Sequence, residues 1–577
     1  MKLPFTYDKR PAVSVSSSKG CAVGWPAVME WLRSCKTGVL CVECYPGAFI
    51  EEIEQAVARS LRPCQVFRTS ECMKTPPELE VMLAPYLSDD PVFGRMNGLE
   101  LADFFDPKKF RAARERIAKT QGSILVIGTG ASLLAPETDI LVYADMARWE
   151  IQHRQRNNEI ANLGAENQKE RASLKYKRAF FVDWRAADRL KKRLLPRIDY
   201  LLDTNDRQNP KLVTGELLRR LLEATTRRPF RVVPFFDPGP WGGEWMRRVI
   251  GLSDGPPNFA WCFDCVPEEN SLLLGFGDAR VEIPAIDLVF CHPRELLGEA
   301  VYGRFGTEFP IRFDLLDTME GGNLSLQVHP LTEYIRDKFG MHYTQDESYY
   351  LLDTGEGAVV YLGLKENAQP AEMLLALEHS QQGGKPFPAE KFVNKWPVKK
   401  HDHVLIPAGT IHCSGRNSMV LEVSATPYIF TFKLWDWGRL GLDGLPRPIH
   451  LEHARENIQW DRKTEWVRQN LLNRKETIAS TNQWCEERTG LHESEFIETR
   501  RHWFTGKVEH DTRGGLNVLN LVEGPEVVIE SPEGAFDPYV IHYAETFIVP
   551  AAVRRYTIRP SGPGRCATIK AYVRSDP

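Results

Sequence analysis

Residues Gly321 to Pro330 read GGNLSLQVHP, and the reading of this stretch decides the fold of the second half of the chain. Taken as a strand, it alternates: Leu324, Leu326 and Val328 point to one face, and Ser325, Gln327 and His329 to the other. The apolar face demands a core. The other face sets a side-chain amide and an imidazole two residues apart on a rigid element, which is how a β-barrel presents metal ligands to its own interior. Three downstream segments extend the pattern. MHYTQDESYYLLDT, from Met341, places Glu347 at the head of an aromatic-rich strand. IPAGTIHCSG, from Ile406, places His412 just behind a Pro-Ala-Gly turn. MVLEVSATPYIFTFKLWDWGR, from Met419, reads as a long strand pair ending in Asp436 and Arg439. Gln327, His329, Glu347 and His412 make a mixed N/O donor set. It suits a divalent first-row metal, zinc most commonly, with positions left open to water or substrate. The carboxylate is expected ionised and both imidazoles neutral in the bound state.

The blocks QVHP, Asp346-Glu347-Ser348-Tyr349-Tyr350, IPAGTIH and DWGR, the last followed by Arg447-Pro448-Ile449-His450, resemble type I phosphomannose isomerases in sequence and in order. These are metal-dependent cupins. Trp241-Gly242-Gly243 resembles the Trp-Gly-Gly that opens the domain of that family, so the resemblance runs from about Arg228 to the C-terminus. It implies a jelly-roll β-barrel with Gln327, His329, Glu347 and His412 as the four metal ligands. It also implies interconversion of a phosphorylated hexose pair, mannose 6-phosphate and fructose 6-phosphate, through a cis-enediol. Two positions depart from the pattern. The family has a Lys two residues before the ligating Glu, where this chain has Gln345. It also has a catalytic Arg where this chain has Lys433, and that exchange is not conservative. Lys433 is the candidate cation for the developing oxyanion, with Arg439 beside it, and Arg439 and Arg447 are the nearest seats for a 6-phosphate. A metal-bound hydroxide, a histidine and a lysine of depressed pKa all remain open as the base. The rival reading is a non-catalytic metal- or sugar-binding sensor.

At 577 residues the chain is long enough for about three or four domains. Hydrophobic residues at 42% and charged residues at 26% are ordinary for globular domains. A net charge of −4 offers no general attraction to nucleic acid or anionic membrane, and the expected partner is a small phosphorylated sugar. No apolar run is long enough to span a bilayer, and MKLPFTYDKR lacks the apolar stretch of a signal peptide, so a cytoplasmic protein is expected. The oligomeric state is not legible. Twelve cysteines are too few for a disulfide scaffold. The pairs Cys41/Cys44 and Cys262/Cys265 are read as reduced thiols in strands.

The first part alternates strand and helix. TGVLCVECYPG, from Thr37, is an apolar strand entering a turn, and FIEEIEQAVARSLR, from Phe49, has helical spacing. GSILVIGTGA, DILVYADMARWEIQHR and RAFFVDWRAADRLKKRLLPRIDYLL repeat the order, which implies a mainly parallel sheet covered on both faces. The stretch Cys44-Tyr45-Pro46-Gly47-Ala48-Phe49 sits where a P-loop would lie but has neither its Lys nor its hydroxyl. Residues 1–226 are therefore expected to form an α/β domain resembling a degenerate uridine-kinase-like P-loop protein. The charged segment from Arg148 to Arg178 is read as a solvated helical arm rather than a phosphate lid. The metal-binding domain is expected over 227–442, a helical segment over 443–500, and a smaller cupin-like β domain over 501–577 with no visible set of His and Glu ligands. His401 and His403 lie in the polar turn KKHDH and are expected exposed, while His342 competes with the ligand set only by proximity in sequence.

Overall fold

The structure is a computed structural model that describes residues 6–15, 20–35, 38–253, 255–427, 429–490, 492 and 495–574. Residues 1–5, Thr37 and Tyr428, which entered the readings above, lie outside them. Two compact units emerge. One contains residues 12–225 together with 269–292, and the other contains 1–11, 226–268 and 293–577.

The α/β unit is built on a seven-stranded sheet. Strands Gln65–Arg68, Ile124–Gly128, Val39–Cys44, Ile140–Asp145 and Tyr200–Asp203 run parallel in that spatial order. Numbered along the chain, the order is 2-3-1-4-5. Lys211–Thr214 and Cys21–Val23 add antiparallel at one edge. The central strands are buried almost throughout and apolar apart from Glu43 and Asp145, as a sheet covered on both faces requires. A second, three-stranded sheet pairs Ala12–Val15 with the hairpin Ser271–Phe276 and Ala279–Pro284. That hairpin was expected among the early strands of the metal-binding domain. The span 227–442 is thus interrupted, because residues 269–292 pack in the α/β unit. The buried Lys191 ammonium lies 2.7 Å from Asp145 and 2.6 Å from Asp287, the latter carried by the same inserted segment. Burial opposes charge at Lys191, and the two carboxylates more than offset it.

The charged segment is solvated only in part: Arg156, Lys169 and Arg171 are exposed, but other cations are not. Arg148, Arg154, Lys175 and Lys177 are buried. Arg148 pairs with Asp188 at 2.6 Å and lies over the Trp184 ring, and Lys175 donates to the Gln155 carbonyl at 2.6 Å. Their alternating signs misled because each cation is satisfied locally by carbonyls and carboxylates, which makes burial affordable.

The other unit contains two β-sandwich halves. In the first, a six-stranded antiparallel sheet includes Glu347–Thr354, Ser418–Ala425 and Ile311–Asp317. Its companion is a five-stranded sheet that includes His412–Ser414, Leu326–Val328 and Phe432–Trp435. The second half pairs a six-stranded sheet with a four-stranded one around Phe504, Leu519, Leu521, Val527, Phe547 and Ile558. The expected helical segment 443–500 is mostly not helical. After the short helices Leu451–Arg455 and Thr464–Asn470, strands begin at Glu476–Ser480 and Trp484–Arg488. Glu476–Ser480 is an exposed edge strand, while Glu486 and Glu487 of the next strand pair inward with His502 and Arg501, so the charges hide the period-2 pattern that a half-buried strand would show.

Arg231 ties the two halves together. Its guanidinium, 2% exposed, sits 2.7 Å from Glu545 and 3.5 Å from Asp264, and it donates to the carbonyls of Asp8 and Thr546. Tyr7 closes the cluster with a 2.6 Å hydrogen bond to Asp264. Removing one member of a buried charge cluster strands the others, at a cost of about 3–5 kcal/mol. Arg231→Ala is therefore expected to lower the unfolding free energy of this unit by that amount, seen as a lower denaturant midpoint at unchanged slope. A midpoint unchanged in urea titration followed by tryptophan fluorescence would show that the cluster contributes no net stability.

Candidate metal centre

His329, Glu347 and His412 form, among the described residues, the one group of three His, Cys, Asp or Glu side chains whose donor atoms lie within 4.8 Å of one another. The local sequence explains the convergence. The strand carrying Gln327 is shorter than the reading predicted, covering only Leu326–Val328, and Pro330 keeps His329 at its end. Gln327 is paired in register with His412 on one side and Lys433 on the other. Glu347 heads strand Glu347–Thr354 of the facing sheet. The Pro407–Thr410 turn is clamped from both sides: the Gly409 N–H donates to the His329 carbonyl at 3.0 Å, and the Ala408 N–H donates to Asp346 at 2.7 Å. Gly409 has φ +85°, and a side chain there would lie 2.6 Å from Gln459 and 2.8 Å from the Asn457 carbonyl. Only glycine fits this turn, which delivers His412.

The electrostatics of the three groups are incomplete without a cation. His412 Nδ1 lies 2.9 Å from the Thr410 carbonyl and His329 Nδ1 3.4 Å from the Phe430 carbonyl, so each ring keeps its proton on Nδ1. Both Nε2 lone pairs then face the Glu347 carboxylate, at 3.2 Å from His329 and 2.8 Å from His412. Three acceptors converge with no proton among them. His329 Nε2 and Glu347 Oε1 have no hydrogen-bond partner, and the three residues are at most 1% exposed. Burial raises the Glu347 pKa, and positive charge at the two histidine positions more than offsets it and holds the carboxylate well below its ordinary range; with both rings neutral, that charge has to come from a bound cation. Burial pulls His329 below its ordinary value. An ionised carboxylate flanked by two neutral imidazoles is a divalent-metal donor set, and zinc fits it. The Gln327 amide lies 3.3 Å from His412 Nε2, and a flip of its interchangeable O and N turns the oxygen toward the same point.

In front of Gln327 a cavity of about 220 Å³ opens. Lys433 and Arg447 line it from one side, and Arg312, Glu422 and Gln345 from another. Trp241 forms part of the wall, edge-on to Trp261 at 4.7 Å between ring centres. The Trp-Gly-Gly backbone passes so close to Gly321 that a Cβ there would sit 2.4 Å from the Trp241 carbonyl. Gln345, where the resembled family carries lysine, donates to Glu347 at 3.0 Å and to Glu422 at 3.3 Å. Arg312 in turn pairs with Glu422 and, at 2.7 Å, with Asp314. Burial, then Arg447, push the Lys433 ammonium down to about 8, against the opposing charge of Asp436. Asp436 takes two hydrogen bonds from Arg439, at 2.9 and 2.6 Å, and one from Arg447 at 2.5 Å. Arg439 is not among the residues lining the cavity, so it acts on Asp436 and Arg447 reaches the open space.

Sequence reasoning missed Arg312, Asp314 and Glu422. A signal existed in the alternation of IRFDLLD and MVLEVSA, where charged residues interrupt otherwise apolar strands. His342 is exposed and takes no part in the centre. His403 was expected exposed but is buried, with its pKa depressed to about 3 by burial, and it does not join the centre. Its neighbours are polar, but its own side chain points inward from strand His403–Ile406. The paired cysteines Cys41/Cys44 and Cys262/Cys265 are buried free thiols.

Residues 24–227 match a family described as a domain of unknown function (DUF8485). A Bacillus subtilis protein named as a candidate mannose-6-phosphate isomerase, YvyI, is 22% identical over 353 residues, covering 60% of this chain and 100% of that protein. The mannose-6-phosphate isomerase of Streptococcus mutans is 26% identical over 219 residues, 37% of this chain and 62% of that protein. The crystal structure of a mannose 6-phosphate isomerase from Bacillus subtilis aligns with TM-score 0.49 at 20% identity, over 60% of this chain and 99% of that one. Homology to mannose-6-phosphate isomerases thus extends over 60% of the chain.

The donor geometry leads to a direct measurement. Purified protein is expected to hold one divalent ion per chain by elemental analysis, and Glu347→Gln to lose it, because a neutral amide cannot balance the charge. A Glu347→Gln protein that keeps its ion would remove this residue from the ligand set.

Proposed function

We propose that the barrel half of the chain is a metal-dependent aldose–ketose isomerase that interconverts mannose 6-phosphate and fructose 6-phosphate. The observation that carries the reading is the buried His329–Glu347–His412 acceptor cluster behind a cavity edged by Lys433 and Arg447. Homology over 60% of the chain supports the substrate class. A divalent metal held by Gln327, His329, Glu347 and His412 would act as a Lewis acid and as a template for the carbonyl and adjacent hydroxyl oxygens while a base moves a proton from one sugar carbon to its neighbour. The charge-stabilising and binding roles fall to side chains at the cavity. Lys433 supplies positive charge where an oxyanion develops next to Gln327. Arg447, backed by Asp436 and Arg439, offers a guanidinium face to the phosphate. Gln345 holds Glu347 and Glu422 in fixed orientation through its two donated hydrogen bonds. Trp241 and Trp261 give the sugar an apolar wall.

In this reading Lys433 serves in its ammonium form. With its pKa near 8, kcat/KM is expected to fall as pH rises through about 8, and Lys433→Met to cost about 10²–10³ in kcat. A rate that instead climbs to a plateau above pH 8 assigns Lys433 as the base and reverses its role. The function itself is tested by a coupled assay for mannose 6-phosphate turnover on metal-loaded protein. Turnover is expected to vanish on chelation and in His329→Ala. Metal-loaded protein that binds sugar phosphates without converting them would favour the sensor reading, to which the glutamine at 345 lends support.

For the α/β unit we propose a degenerate nucleotide-kinase-like domain that transfers no phosphate. The strand order 2-3-1-4-5 supports this layout. After the first of those strands, Tyr45 donates to Asp188 at 2.8 Å, beside Arg148, where a working loop would carry lysine and open onto phosphate.

A further inference from the structure

The C-terminal sandwich contains a cavity of about 350 Å³ whose walls are polar in a coordinated way. Side chains alternate along a strand, so the inward row of each strand follows from the core residues it shares. In Cys566–Val573 the inward row runs Cys566, Thr568, Lys570, Tyr572. In Ile497–Phe504 it runs back from Phe504 to His502 and Arg500, and in Val508–Asp511 from Val508 to His510. In Asn517–Glu523 it leads from Leu521 and Leu519 to Asn517. Each row is apolar at one end of the sandwich and polar at the other. A core that served only stability would stay apolar, since each buried polar group costs free energy unless it finds a partner.

Several of these groups have none. His510 is 5% exposed, stacks on Tyr556 and meets His502 edge-on at 4.6 Å, yet neither of its ring nitrogens has a hydrogen-bond partner. His502 Nδ1 is likewise unsatisfied. Lys570 is 8% exposed, and its ammonium lies over the Tyr572 ring at 5.6 Å without an ion pair among the described residues. Burial lowers it to about 8, so it is still mostly protonated at neutral pH. The nearby Glu486 is already spent on Arg500 at 3.2 Å and His502 at 3.4 Å. The donor atoms here do not converge as a metal set does. What the cavity leaves open is the buried Lys570 ammonium beside imidazole nitrogens of His502 and His510, with Arg513 and Arg555 adding positive charge to the lining and Glu509 and Asp511 opposing it.

We propose that this cavity is a second ligand site, sharing no lining residue with the cavity at the metal centre. It takes a small sugar bearing one phosphate or carboxylate group, with the anion on Lys570 and hydroxyls on His502 and His510. The proposal stands apart from the isomerase reading, because it rests on other residues.

Hydrogen exchange of the full-length chain tests it, with inorganic phosphate, fructose 6-phosphate and gluconate as probes. Fructose 6-phosphate or gluconate, at millimolar concentration, is expected to protect amides in Val508–Asp511, Arg555–Pro560 and Cys566–Val573. The more effective of the two identifies the anionic group. Lys570→Met should weaken that protection by at least about tenfold, the worth of one charged hydrogen bond, with isomerase activity and metal content unchanged. His510→Phe, which keeps the ring stack on Tyr556, should weaken it as well and guards against a folding defect in the first variant. Protection confined to strands Leu326–Val328 and Phe432–Trp435 overturns the second site and leaves the isomerase reading intact. Protection by inorganic phosphate that a sugar does not improve overturns the hydroxyl contacts. Protection that survives Lys570→Met overturns the role of the lysine.

Discussion

The mutual repulsion of three buried acceptors is the constraint on which the barrel half depends. His329 and His412 turn their unprotonated Nε2 atoms toward Glu347, and backbone carbonyls hold the opposite nitrogens so that neither ring can rotate its proton inward. The arrangement has an obvious electrostatic complement in a divalent cation. It also joins the two sheets, because Glu347 belongs to one and His412 to the other. An ion held here would fasten the two sheets to each other through these side chains.

Much of this was legible in the sequence because the ligands sit on short, strongly patterned segments. The alternation in GGNLSLQVHP, the turn in IPAGTIH and the acidic head of DESYY each have a local physical meaning. The ion-pair network around them was harder to see. Arg312 and Glu422 are far apart in the chain and become partners only when Ile311–Asp317 pairs with Ser418–Ala425. Arg439 drew attention as a charge near the barrel mouth, yet its guanidinium is committed to Asp436, and Arg447 takes the place facing the cavity.

Two failures of the sequence reading share a cause. The segment Arg148–Arg178 and the strands after Glu476 are both rich in charge, and charge was equated with solvent. In the first case the cations are buried against carbonyls and carboxylates. In the second Glu476 is exposed, but Glu486 and Glu487 pair with His502 and Arg501 of the adjoining strand. The same equation concealed Glu486, which lay in a stretch taken as helical, and with it the histidine pair it approaches in the C-terminal sandwich. Composition reports how many charges a segment carries, not whether tertiary structure will give them partners.

The segment 269–292 has a consequence for how the molecule comes into being. It leaves the barrel chain, completes a three-stranded sheet with Ala12–Val15, and hands Asp287 to the buried Lys191. A ribosome that has made the first 225 residues has therefore not yet supplied everything the α/β unit needs. That unit must wait in an unfinished state, its lysine answered by Asp145 alone, until a stretch encoded inside the neighbouring unit emerges from the exit tunnel. The two parts are interleaved in the order of synthesis, and a cut between them at residue 226 would yield a fragment lacking part of its own interior.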